Sequence, residues 1–279
     1  MKKRYHIVCS DSGASNLIYY WYIANRNKYT FSFDLSGPAK NIFRKNNKKL
    51  NSKIDLIITG TGKIKYKYIN AINYGKKNNI KTISFLDHYV NYIFRFKYKK
   101  KLVLPDEIWT FDNISFSMAK DFFKTTKIKN KKNYYLEFLK KNFVIYKKNF
   151  FLKKNYLSIL FASEPSLISN KLNKQIASNI FNYLITHNKK IKLILRLHPS
   201  EKKSSLFSFL SNHLKDNKDI TVVLDKNISI FNSIYKSDIV IGGETYAMVL
   251  ALKLKKKVYT FLPINNCKFN LPFKNIKKI

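Results

Sequence analysis

The chain has 279 residues, with 54 Lys and Arg against 16 Asp and Glu and a formal charge of +38. Its 22 Phe and 19 Tyr, beside only 7 Gly and 6 Pro, exclude a collagen-like, low-complexity or disordered chain, because they supply ample apolar surface for a core. The two cysteines, Cys9 and Cys267, lie near opposite ends without metal-ligand spacing, which excludes a disulfide framework and points to a reducing compartment.

Arg4, Arg26, Arg44, Arg95 and Arg196 are the arginines, so 49 of the basic residues are lysine, in company with abundant Asn, Ile, Phe and Tyr. Those are products of A- and T-rich codons, and coding bias suffices to explain them. Nucleic-acid binders concentrate arginine on one face, whereas here lysine is spread over most polar positions, so nucleic acid is not the expected partner. Attraction to an anionic membrane surface fits scattered lysines better. The most apolar stretches, Leu17 to Ala24 and Tyr156 to Ala162, fall short of the roughly 20 residues that cross a bilayer. With no secretory signal in the first residues, the expected location is cytoplasmic, with peripheral contact on the inner face of the membrane.

In chain order, Tyr5 to Cys9 reads as a strand, Ser10 to Ser15 as a loop and Asn16 to Asn25 as a helix. Thr30 to Leu35 is a second strand, and Pro38 opens a short helix. Leu56 to Thr59 runs into Gly60-Thr61-Gly62 and a helix from Lys65 to Lys77. Lys81 to Leu86 ends in Asp87-His88, and Glu107 to Phe111 ends in Asp112 before a helix through Ala119. The lysine-rich segment from Lys124 to Lys154 shows no strand of similar quality and reads as the boundary between domains 1–140 and 141–279.

The alternation restarts with a strand at Leu157 to Ala162, a helix at Lys174 to Thr186 and a strand at Lys192 to Leu197, followed by His198-Pro199. A helix at Ser204 to Leu214, a strand at Ile220 to Leu224 and a short helix at Ile228 to Tyr235 come next. Asp238 to Ile241 is a buried strand, Gly242-Gly243-Glu244 its loop, Thr245 to Leu254 a helix, and Val258 to Phe261 the last strand. Strand and helix alternating twice predicts an α/β protein of two Rossmann-like domains, parallel sheets flanked by helices, with an interdomain cleft.

Ligands of doubly wound sheets bind beyond the carboxyl ends of the strands. In the first half this singles out Asp87, whose carboxylate could take a proton from a sugar hydroxyl, with His88 beside it and Asp11 as a second candidate base. The alternatives are that Asp87 caps a turn and Asp11 caps a helix. In the second half, Leu193-Ile194-Leu195-Arg196-Leu197-His198-Pro199 delivers an imidazole to a strand end, where it could donate to a phosphate. Gly242-Gly243-Glu244-Thr245 would let a ligand approach the amides at a helix start, the favourable end of the helix dipole. The plain alternative is a tight, closely packed turn.

This order of strand, His-Pro, strand, Ser-Asp strand, Gly-rich loop, Glu, helix, strand and Leu-Pro, over Tyr156 to Pro263, resembles the nucleotide-binding half of GT-B glycosyltransferases. It is similar to those using cytidine-linked donors: the bacterial sialyltransferase and Kdo-transferase groups and the CDP-glycerol polymerases. The resemblance implies a transferase moving a sugar from a nucleotide-sugar donor to a saccharide or lipid-linked acceptor in surface-glycan synthesis. It implies donor contacts at His198, Pro199, Arg196, Gly242, Gly243 and Thr245, with Glu244 on ribose hydroxyls. The usual Ser or Thr pair is Glu244-Thr245 here, a departure that bears on the donor. A sugar-nucleotide epimerase or hydrolase on the same scaffold is the enzymatic alternative, and a noncatalytic basic module binding anionic polymer or membrane is the other. No Asp-x-Asp step follows a predicted strand and no His/Cys cluster is present, so neither a metal nor a cofactor is expected.

Overall fold

The computed structural model describes residues 2–44, 53–62, 65–149, 155–164, 170–187, 189–198, 201, 205–226, 229–264 and 267–279. The chain forms two compact units, Met1–Phe138 and Leu139–Ile279.

The first unit runs β1 (Arg4–Cys9), α1 (Ser12–Asn25), β2 (Thr30–Leu35), α2 (Pro38–Phe43), β3 (Leu56–Thr59), α3 (Lys65–Lys77) and β4 (Lys81–Phe85). It continues with α4 (Tyr92–Phe96), β5 (Lys97–Tyr98), β6 (Lys101–Leu102), β7 (Glu107–Thr110), α5 (Asn113–Phe122), β8 (Lys127–Asn130) and α6 (Tyr134–Asn149), the last crossing into the second unit. Six of these strands lie parallel in the order β2-β1-β3-β4-β7-β8, and β5 and β6 form a separate antiparallel pair. The inner strands β3 and β7 are buried along their whole length, and β3 accordingly reads as an apolar run rather than an alternating one.

The second unit holds β9 (Leu157–Ala162), α7 (Asn170–Ile185), β10 (Ile191–Arg196), α8 (Ser205–Leu214), β11 (Ile220–Leu224), α9 (Ile230–Lys236), β12 (Ile239–Gly242), α10 (Tyr246–Lys253), β13 (Lys257–Thr260) and β14 (Lys277–Lys278). These strands form a second parallel sheet in the order β11-β10-β9-β12-β13-β14. Ile159, Phe161, Ile176, Ile180, Leu193 and Leu210 pack together as the centre of its core. At about 1.5–3 kcal/mol for each large apolar side chain buried, such a cluster is what holds α7 and α8 to the sheet.

Two sequence expectations need correction. The stretch from Ser10 to Ser15 is not a loop: α1 begins at Ser12, because Asp11 caps it by accepting from the Ala14 amide at 3.1 Å. The segment read as a strandless linker supplies β8 and α6. β8 escapes pattern reading because it is an edge strand with exposed Lys127 and Asn130, the polar character that keeps edges from pairing with other chains. The aromatic run after Leu17 serves packing: Trp21 is buried beside Tyr5, Tyr29 and Phe85, with ring centroids 6.1, 6.4 and 5.9 Å away. Among the described residues, no helix is long and apolar enough to cross a membrane.

Candidate functional site

In the first unit β2 and β3 flank β1, so the chain reverses its direction of winding there, and the carboxyl ends of β1, β3 and β4 meet at the switch point. Asp11 follows β1, Thr61 and Gly62 follow β3, and Asp87 follows β4. Asp87 is buried; its Oδ1 accepts from Thr61 Oγ1 and from Arg95 Nη1, both at 3.0 Å. The same guanidinium donates to the carbonyls of Thr61 and Val90, each at 3.1 Å, so Arg95 is oriented on three sides. On Asp11, Oδ2 accepts the Tyr68 hydroxyl at 2.5 Å, and that hydroxyl in turn accepts from the Ser10 amide at 3.0 Å.

Both carboxyls border Gly13. A Cβ there would lie 2.2 Å from Asp87 Oδ2 and 3.7 Å from Asp11 Oδ1, and one at Gly62 would lie 2.0 Å from Asp11 Oδ2. Only glycine admits the two acids this close to backbone. Burial, then the charge of Asp87, pushes the Asp11 carboxyl above the usual carboxylate range, and the bonds from Tyr68 and Ala14 and the charge of Arg95 do not cancel that. The pair therefore combines a carboxylate held by a guanidinium with a neighbour that retains its proton more readily. Two carboxyls in unlike environments are how one site supplies both an acid and a base.

In the second unit the switch point is at β9, between β10 and β12. Ser163, directly after β9, donates its hydroxyl to Glu201 Oε2 at 2.7 Å, and the same oxygen accepts the His198 amide at 2.7 Å. Glu164 Oε2 accepts the Glu244 amide at 2.8 Å. Adjacent residues at the end of β9 thus tie down both the His198 turn and the glycine loop, which brings those two sequence features to one strand end. Thr245 caps α10 through the Ala247 amide at 3.3 Å, and Gly243 O accepts from Thr260 Oγ1 at 3.0 Å. A Cβ at Gly242 would meet Met248 Sδ at 2.9 Å, so that glycine serves close packing of α10 on β12. The Glu244 carboxylate accepts from the Asn270 side chain at 2.9 Å.

The remaining predicted residues are placed as follows. Arg196 is held by Asp225 at 2.7 Å and Ser233 at 3.0 Å, on the side of β11 and α9. His88 is half-buried next to Asp87, whose partners are Thr61 and Arg95. Pro199 lies outside the described residues. Sequence reasoning put Gly60-Thr61-Gly62 at a strand end but gave Thr61 no part in holding a carboxyl, and it missed Tyr68 and Arg95 as parts of the site. Arg95, one of five arginines in a lysine-rich chain, was the available signal. Among the described residues, no group of three or more His, Cys, Asp or Glu could hold a metal ion.

No family model matches the chain, and no curated protein matches it. Solved structures do. A Methanocaldococcus jannaschii UDP-GlcNAc 2-epimerase in complex with UDP-GlcNAc and UDP is 14% identical with a TM-score of 0.66, covering 92% of this chain and 83% of that one. The S. aureus MnaA–UDP structure is 10% identical with a TM-score of 0.68, covering 94% and 80%. A Rickettsia africae glycosyltransferase is 14% identical with a TM-score of 0.58, covering 96% and 80%. With two parallel six-stranded sheets flanked by helices and these neighbours across almost its whole length, the chain has the GT-B-like fold.

Proposed function

We propose that the chain is an enzyme acting on a nucleotide-linked sugar, and that its reaction is epimerisation at a sugar carbon, with a UDP-linked N-acetylhexosamine as the first substrate to test. The carrying observation is the pair of unlike carboxyls, Asp87 held by Arg95 and Asp11 with its raised proton affinity, facing one glycine. Inverting a C–H centre requires one proton to leave and one to return, which such a pair supplies. Support also comes from the M. jannaschii and Neisseria meningitidis 2-epimerases, solved with UDP-GlcNAc bound.

A hydrogen on C2 beside an acetal carbon is not acidic by itself. In this reading Asp87 takes it as the C1–O bond to the nucleotide breaks, and the electron pair of the C–H bond forms the C1–C2 double bond. The diphosphate leaves with the electron pair of the C1–O bond, so donors placed where its negative charge grows would speed this step. Return of a proton to the opposite face of C2, from Asp11, and reattachment of the nucleotide give the epimer without net oxidation, and loss of the Asp87 proton to water with reprotonation of Asp11 restores both carboxyls.

Glycosyl transfer, the first expectation from sequence, is the second reading and is favoured by the likeness to the R. africae glycosyltransferase. It needs an acceptor and one base. UDP-GlcNAc incubated with the protein in D2O, without acceptor, separates the two: the epimerase reading expects deuterium at C2 and signals of the epimer by NMR. Asp87→Asn is expected to slow exchange about 10²–10⁴-fold while leaving stabilisation by UDP intact. No exchange, together with transfer once an acceptor is added, would overturn epimerisation in favour of transfer. A thermal-shift series with UDP, CDP, CMP and GDP, repeated on His198→Ala, decides whether the cytidine-linked donors suggested by sequence are preferred.

A further inference from the structure

The sequence between Asp87 and Glu107 contains an excursion that the sheet does not need. α4 is anchored by Tyr92 and Phe96, 2% and 1% exposed, while its other side leaves Phe94 63% and Ile93 37% exposed. β5 and β6 then form an antiparallel hairpin in which Lys97 pairs with Leu102 and Tyr98 with Lys101, closed at its base by the Val103 amide on Phe96 O at 3.0 Å. Leu102 is 48% exposed. Lys97, Lys99, Lys100 and Lys101 are all exposed.

The two residues at the tip are the informative ones. Lys99 and Lys100 have φ values of 45° and 63°, both in the left-handed region. A two-residue hairpin loop of that pattern strongly prefers Asn-Gly, because side chains with a Cβ are disfavoured there. Backbone strain held at an exposed tip, in a place where Asn or Gly would remove it, is a mark of function rather than of folding. The strained tip presents a pair of exposed ammonium groups, and the same short stretch of chain exposes Ile93, Phe94 and Leu102.

We propose that this tip docks the protein on an anionic lipid bilayer. Phe94 and Leu102 would enter the boundary between headgroups and acyl chains, and the four lysines would pair with acidic headgroups. Charge complementarity selects an acidic surface, and the apolar side chains select a lipid one: a nucleic acid would meet the lysines but would offer the aliphatic Ile93 and Leu102 no apolar medium. The arrangement is interfacial, as lysine stems can lie along apolar surface with their heads in the polar layer. This inference is independent of the sugar-nucleotide reading, because it concerns where the protein resides and not what it converts.

Co-sedimentation with phosphatidylcholine vesicles, with and without phosphatidylglycerol, tests it on the full chain. Binding is expected only to the acidic vesicles. Phe94→Ser with Leu102→Ser, which keeps every charge, is expected to weaken partitioning about tenfold. Lys99→Asn with Lys100→Gly is expected to weaken it by a similar factor, about tenfold, while raising the melting temperature, so that unfolding cannot explain the loss. Lys76→Gln with Lys77→Gln, an equal loss of charge at the exposed end of α3, is expected to change binding less than about twofold. Equal losses for both lysine pairs would show diffuse attraction and overturn the proposal. So would undiminished binding by the Phe94/Leu102 variant, or retention on an immobilised polyanion with no binding to vesicles.

Discussion

Among the described residues, each unit pairs an arginine with a buried aspartate side chain, and the two pairs are built differently. In the second unit Arg196 meets Asp225, whose side chain is 0% exposed, and Ser233 bonds to both. The pair sits where β10, β11 and α9 come together and closes on itself. In the first unit Arg95 meets Asp87 at the end of β4, and the aspartate leans against Gly13 and a second acid. The same two residue types make a staple in one place and, in the function proposed above, half of an acid–base pair in the other. What separates them is the neighbourhood: a serine joins the first, whereas the second borders a carboxyl whose pKa is raised by burial and by Asp87 itself.

Replacing the arginines breaks that comparison or sharpens it. Arg95→Met and Arg196→Met are each expected to destabilise by about 3–5 kcal/mol, since each leaves a buried carboxylate without its cation, read from denaturant unfolding. Only Arg95→Met is expected to change the pH profile of turnover as well. If Arg196→Met moves that profile equally, the distinction between staple and acid–base pair fails.

A third carboxylate provides the next contrast. Burial of Glu107 works against its charge, but bonds from Lys81 at 2.7 Å, Trp109 at 2.9 Å and Lys129 at 2.9 Å overcome it and lower its pKa to about 2. The folded value is below the unfolded one, so the stabilisation is complete above the unfolded pKa, near 4.5, and fades as pH falls toward 2. It is on the order of 3 kcal/mol, and Glu107→Gln is expected to flatten stability across that acid range in a series of urea melts. Asp11 runs the other way: its folded pKa is raised, so its protonation as pH falls adds stability. Asp11→Asn is therefore expected to steepen the acid loss, and Glu107→Gln to remove it.

The smallest effect is the most telling about local fit. Gly13 lies inside α1, where Gly→Ala ordinarily stabilises by about 0.5–1 kcal/mol. Here a methyl group would press on Asp87 Oδ2, and Gly13→Ala is expected to destabilise by about 1–3 kcal/mol. A rise in melting temperature would mean that the two acids do not crowd this helix turn.

The order of strands and helices was legible in the sequence wherever a β-rich run was bounded by polar turns, as at Leu56 to Thr59 and at the strand read as Lys81 to Leu86, which ends at Phe85. It was illegible where burial is one-sided and weak, as in β8, or where a cap residue starts a helix earlier than its apolar face, as Asp11 does. The strand-end position of Asp87 and Asp11 could be read, because the sheet rule needs only strand boundaries. Their partners could not, because Tyr68 comes from α3 and Arg95 from α4, and no spacing along the chain encodes those approaches. Charge counting showed the lysine excess but not the tip at Lys99 and Lys100, which depends on backbone angles.

The phenol of Tyr68 has a consequence for motion. From α3, its ring packs in one cluster with Val8 of β1, and its hydroxyl accepts the Ser10 amide, shares a hydrogen bond with Ser10 Oγ and donates to Asp11. Sliding α3 by little more than the length of one such contact would withdraw the donor and leave Asp11 to the repulsion of Asp87. The Tyr68 bond works against burial and the charge of Asp87 on that carboxyl, so the placing of α3 bears on how readily Asp11 holds its proton.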